Sequence, residues 1–140
     1  MKKIFLTLLT LCFVVSYGYC STVNSYDSYG RKTGSYRTNG STTTSYDKYG
    51  RKTGTIKYTS SGYTTYDYMG RKTSTVRQTS SGYTRYDNLG RRTETYRTNS
   101  SGRTNVYDST GRRTRSYKTN SNGRITKYDS SGRKIGSYRW

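Results

Sequence analysis

The stretch Tyr26-Asp27-Ser28-Tyr29-Gly30-Arg31-Lys32-Thr33 decides how this chain folds, because it returns five more times with small changes, the last copy ending in Ile135. The later copies begin at Tyr46, Tyr66, Tyr86, Tyr107 and Tyr128, at steps of 20, 20, 20, 21 and 21 residues. A fixed period of this size marks a repeat architecture, in which each unit buries its face against its neighbours.

Asp-x-x-Gly is turn chemistry. Asp27, Asp47, Asp67, Asp87, Asp108 and Asp129 stand at the first corner, where a carboxylate bonds the backbone two residues on. Gly30, Gly50, Gly70, Gly90, Gly111 and Gly132 stand at the last corner, where a positive φ is needed. Each reads as a hairpin on a type I turn, with or without a glycine bulge. A second turn separates successive copies: Thr59-Ser60-Ser61-Gly62, Thr79-Ser80-Ser81-Gly82, Asn99-Ser100-Ser101-Gly102 and Asn120-Ser121-Asn122-Gly123, with Thr38-Asn39-Gly40 in the first unit. The fold class expected is therefore all-β, a repetitive antiparallel hairpin meander with about two short strands per unit. The pattern leaves open whether this meander stays a single layer, coils or closes. The Thr and Tyr load favours strands, proline is absent, and the Gly spacing disfavours helix.

Six residues after each turn glycine comes a large side chain: Tyr36, Ile56, Val76, Tyr96, Tyr117 and Tyr138. A strict period of two puts Val76 on one face with Lys72 and Ser74, and Arg71, Thr73, Thr75 and Arg77 on the other.

Residues 1–20 have the form of a secretory signal peptide: basic Lys2 and Lys3, an apolar run from Ile4 to Val15, then small Ser16 and Gly18. Cleavage after Gly18 or after Cys20 both fit. An uncleaved anchor and a lipoprotein acylated at Cys20 are the alternatives. The run is short for a membrane span, so none is expected in the mature chain. Residues 21–140 then form one six-unit array, exported to the periplasm, the cell surface or the medium. Both cysteines lie in the leader, so no disulfide framework is available to the array.

Beyond residue 20 the chain holds 24 basic against 7 acidic side chains, a net charge of +17, with few Leu, Ile or Val and no Phe. Composition of that kind belongs to disordered polycations. The strict period and 16 tyrosines argue the other way, since a buried aromatic removes about 150–250 Å² from water.

Tyr-Asp-x-x-Gly-Arg-x-Thr at this spacing resembles the YD repeat of Rhs proteins and teneurins, over Ser25 to Arg139 in six copies. The resemblance implies a strip of antiparallel hairpins in exported proteins tied to cell-surface contact, carbohydrate binding or toxin encapsulation. The position after Gly-Arg is usually Leu in that family and is Lys or Arg here. A charge row replaces an inward Leu row, so a closed hydrophobic-lined shell is not expected, and the toxin role is not carried over.

The doublets Arg31-Lys32, Arg51-Lys52, Arg71-Lys72, Arg91-Arg92, Arg112-Arg113 and Arg133-Lys134 are the strongest functional signal. With two strands per unit they recur every ~10 Å, close to the Debye length in physiological salt. A positive ladder suits a polyanion: anionic polysaccharide, lipopolysaccharide, teichoic acid or nucleic acid. Tyr36, Tyr96, Tyr117 and Tyr138 would stack on sugar rings or bases. The plainer alternative is that these charges protect sheet edges from pairing. Self-association into a surface or matrix structure through sheet edges is the rival function.

Catalysis has little support. There is no His, Glu94 is the sole Glu, and no base stands beside the many Ser and Thr. One Asp per turn does not make a calcium loop, and no cofactor or metal is implied. A membrane barrel is disfavoured by Lys134, which stands where an apolar face would run.

Overall fold

The computed structural model describes residues 21–139; the expected leader, residues 1–20, and Trp140 lie outside them. Among the described residues twelve strands follow one another without a helix: β1 Ser21–Asp27, β2 Lys32–Asn39, β3 Thr42–Asp47, β4 Lys52–Thr59, β5 Gly62–Asp67, β6 Lys72–Thr79, β7 Gly82–Asp87, β8 Arg92–Thr98, β9 Arg103–Asp108, β10 Arg113–Thr119, β11 Ile125–Asp129 and β12 Lys134–Arg139. Each unit supplies two of them. Sequential strands pair antiparallel, and β1 pairs with β12 to close an up-and-down barrel. Closure leaves no unpaired strand edge among the described residues.

Every Asp-x-x-Gly hairpin carries one unpaired residue on its outgoing strand. Between β5 and β6, Thr65 faces Ser74 but Tyr66 faces Lys72, so Thr73 is a bulge. The same skip recurs in the hairpins β1–β2, β3–β4, β7–β8, β9–β10 and β11–β12. A bulge reverses which face a period-two count assigns. It corrects the expectation for the doublets: Lys72 shares the outer face with Tyr66, Thr75 and Arg77, while Ser74 and Val76 face inward. The bulge threonines bond back to the inward residue ahead of the Tyr-Asp pair, as in Thr33 to Ser25 and Thr53 to Ser45, each at 3.0 Å.

The opposite turns explain the change of period. Between β4 and β5 the strands pair up to Thr59↔Gly62, leaving a two-residue turn, Ser60-Ser61. The last two connections instead repeat the Asp-type turn with asparagine. Asn99 N donates to Arg103 O at 2.9 Å and Gly102 N to Asn99 O at 3.1 Å, as in the Asp turns, and Asn120 to Arg124 matches them. That turn is one residue longer, which makes the 21-residue steps.

Twelve strands at about 4.8 Å give a wall roughly 58 Å around, hence a lumen too wide for small aliphatics alone to fill. Tyrosine bridges it. Tyr96 and Tyr117 pack with Val23, Val106 and Ile125, and Tyr36, Tyr83 and Tyr138 lean on that cluster. The Tyr36 and Tyr138 rings stand 6.5 Å apart at 60°. The barrel thus closes around an aromatic core, which corrects the expectation against a closed hydrophobic-lined shell: the bulge turns the charge row outward, and tyrosine takes the lumen.

The wall is uneven. Three of the six positions four residues after the turn glycine are again glycine: Gly34, Gly54 and Gly136. A Cβ on Gly34 or Gly54 would lie 2.5 or 2.6 Å from the carbonyl oxygen of Tyr46 or Tyr66, so the backbone there runs closer to its neighbour than any other residue allows. The equivalent positions in the intervening units hold Ser74, Glu94 and Arg115.

Candidate polyanion interface

In an up-and-down barrel all six Asp-x-x-Gly turns fall at one end. The doublets therefore ring one mouth of the barrel and do not run along an open strip. Within each turn the aspartate is fully used. Asp27 Oδ1 accepts the backbone N–H groups of Tyr29 and Arg31, both at 2.9 Å, and its Oδ2 accepts Arg31 Nε at 2.7 Å. Asp47, Asp67, Asp87 and Asp129 repeat this with Arg51, Arg71, Arg91 and Arg133. The backbone N–H of the arginine is the leading reason these carboxyls sit below the ordinary value of 3.8. Asp108 differs: the Thr110 hydroxyl, at 2.7 Å, leads in lowering it, and no Arg112 ion pair forms.

The two members of each doublet thus have different roles. The first, Arg31, Arg51, Arg71, Arg91 or Arg133, closes its own turn. The second, Lys32, Lys52, Lys72, Arg92, Arg113 or Lys134, is exposed at the rim. Arg92 and Arg113 also reach the next turn, donating to the carbonyls of Ser109 and Ser130 at 3.2 and 3.1 Å.

The four tyrosines expected to stack on a ligand lie elsewhere. Tyr96 and Tyr117 are buried, and Tyr36 and Tyr138 face the lumen beside them. Burial pushes all four phenols above their ordinary value of 10.0, and that placement makes them core. The outward tyrosines are those of the Tyr-Asp pairs. Arg37 lies over Tyr46, Lys57 over Tyr66, Arg77 over Tyr86, Arg97 over Tyr107 and Arg139 over Tyr26, at 5.1–5.7 Å from the ring centroids. Arg103 covers Tyr128 at 5.3 Å. These contacts form a belt of cation–π pairs around the outer wall.

The sequence reading missed this belt, although its signal was present. The residue seven places after each turn glycine is always basic: Arg37, Lys57, Arg77, Arg97, Lys118 and Arg139. It also passed over the turn tips. Tyr29, Tyr49, Tyr68, Met69 and Leu89 are 62–84% exposed at the doublet-bearing end. Arg31 and Arg51 lie over Tyr29 and Tyr49, both at 5.3 Å.

The one acid outside the turns, Glu94, points into the lumen. It accepts Tyr96 Oη and Arg115 Nη2, both at 2.6 Å, and meets Arg85 Nη1 at 3.5 Å. Burial pushes its carboxyl up, but the Tyr96 hydroxyl and Arg115 outweigh that and hold it low. Lys127 completes the inward charges; burial, then Arg115, lowers its ammonium. No group of three His, Cys, Asp or Glu side chains converges among the described residues.

Neither a protein-family model nor a curated protein matches this sequence. Fold and surface together define a class: a twelve-stranded, tyrosine-cored antiparallel barrel with a cationic rim and a cationic, aromatic outer belt.

Proposed function

We propose that this chain is a non-catalytic, exported repeat barrel that binds anionic polymers, surface glycans first among them, through its rim and belt. The observation that carries the reading is the fate of the acids. Six of the seven are bonded inside turns and the seventh lies in the lumen, so the outer wall presents cations with no carboxylate between them. Field lines from the exposed basic side chains of rim and belt add around the barrel. The outward tyrosines and the aromatic turn tips supply flat faces for sugar rings or bases. Assembly by edge pairing is less favoured, because β1 and β12 already use each other's edges. The same cations oppose a lipid-facing wall, which needs an apolar band.

Retention on heparin and on duplex DNA, measured against salt, tests the proposal. Binding should persist above physiological ionic strength. On DNA, the combined change Arg37→Gln, Arg77→Gln, Arg97→Gln should flatten the logarithmic salt slope by about one per contact removed, near 3 in all. Elution from both columns at low salt, or an unchanged slope, would show that the charges serve solubility alone.

A further inference from the structure

The lumen is packed on one side and hollow on the other. Tyrosines and long charged side chains of β7–β11 fill one half. Towards β3–β6 the inward positions nearest the Asp turns are small, Ser45, Gly54 and Thr65, and above Ile56, Tyr58 and Tyr63 they leave a cavity of about 360 Å³. That volume falls in the range of small-molecule sites. Thr53 and Thr73, the exposed bulge residues, line it too, so it opens at the doublet-bearing end.

Two guanidinium groups, Arg85 and Arg115, face this cavity. Each has five N–H donors, and each uses few. Arg85 gives Nε to Ser74 Oγ at 3.1 Å and Nη1 weakly to Glu94 at 3.5 Å. Arg115 gives Nε to Tyr117 Oη at 3.1 Å and Nη2 to Glu94 at 2.6 Å. Glu94 is a single carboxylate shared by both. With Lys127, three inward cations face one inward anion, an excess of two positive charges in a partly dehydrated lumen. Unbalanced charge in such a place is costly, and a bound anion offsets it. Guanidinium N–H pairs also match the planar oxygens of a carboxylate or sulfate. The remaining walls are mostly Tyr rings and Ser/Thr residues, which suit a sugar ring, with Ile56, Gly54 and Asp67, whose carboxylate is held by Arg71.

We infer that the hollow side of the barrel is a binding site for one anionic sugar residue, a uronic acid or a sulfated monosaccharide, gripped by Arg85 and Arg115. The residue is either a free sugar or the end of a glycan chain. The ring of Lys52 and Lys72 beside the opening favours entry of an anion. This site uses residues other than the outer belt, so it stands or falls separately from the surface reading.

Glucuronate, and a tetrasaccharide ending in glucuronate, should be titrated into the folded chain while the near-ultraviolet circular dichroism of tyrosine is followed. A saturable one-to-one change is expected, because the site is walled by tyrosines; polymer held only on the outer belt would not saturate at one equivalent. R85M and R115M should each weaken it tenfold or more. Tighter binding of the tetrasaccharide identifies a chain end as the ligand, and equal binding a free sugar. No saturable signal with either probe overturns the inference, as does unchanged affinity in R85M. If R115M loses its far-ultraviolet sheet spectrum, R85M alone decides, since the Arg85 side chain is 38% exposed and its loss leaves Arg115 on Glu94.

Discussion

Raising the pH should break this barrel, and the tyrosine core sets how abruptly. Burial raises the phenols of Tyr36, Tyr63, Tyr83, Tyr96, Tyr117 and Tyr138 above 10.0. The sign follows from proton counting. Above pH 10 the unfolded chain has lost these protons and the folded chain still holds them, so stability is intact below that pH and falls as the pH rises. Each retained proton contributes a slope of about 1.4 kcal/mol per pH unit. Leaving out Tyr83, the least enclosed, the other five together give about 7 kcal/mol per unit once the unfolded phenols are fully ionised. A domain stability of roughly 5–15 kcal/mol is then consumed within one to two units. The assay follows phenolate absorbance and far-ultraviolet circular dichroism in one titration of the chain from residue 21. A late block of five or six ionisations, out of 16 tyrosines, should coincide with loss of sheet signal. Complete ionisation with the sheet spectrum intact would refute the aromatic core.

Two further outcomes are expected. Gly62 has φ +151°, and a Cβ there would overlap the Val76 carbonyl, so Gly62→Ala should cost about 2–4 kcal/mol in denaturant unfolding. Gly30, at φ +82° with open space around it, should lose only about 1–2 kcal/mol on the same change, so equal costs would remove the argument. The turn carboxyls, held low chiefly by backbone N–H donors, contribute stability above their unfolded value of 3.8 that is lost as the pH falls through their folded values. Thermal scans from neutral to acid pH should show that loss, and Asp67→Asn should lower the midpoint less than Asp67→Ala, since an amide oxygen still takes both N–H groups.

The asparagine turns of this chain already make that substitution. Asn120 Oδ1 accepts Asn122 N at 3.1 Å and Arg124 N at 2.9 Å, the pattern of the aspartates. They also show what was legible beforehand and what was not. The repeat, two strands per unit and the role of Asp and Gly at the corners follow from local chemistry and could be read directly. The face of each side chain could not, because one bulged residue per hairpin reverses a count of two and leaves no compositional mark. That error put Tyr36, Tyr96, Tyr117 and Tyr138 on the ligand-facing surface, where the structure makes them core. It also placed Lys72 beside Val76 when the two face opposite ways. Closure was equally hidden: it rests on β1 pairing with β12, which no single unit encodes. Glu94, Arg85 and Arg115 break the repeat in sequence, and only the register brings them together across two neighbouring hairpins, β7–β8 and β9–β10.

Pairing of β1 with β12 sets Asn24 opposite Arg139 and makes the seam one junction among twelve. Ser21 and Arg139 both stand at the end away from the doublets. A short tether joining them, with the backbone reopened between Ser60 and Ser61, would thread the same circle from a new starting point. The molecule has a beginning and an end as a polymer, but its wall does not register where they are.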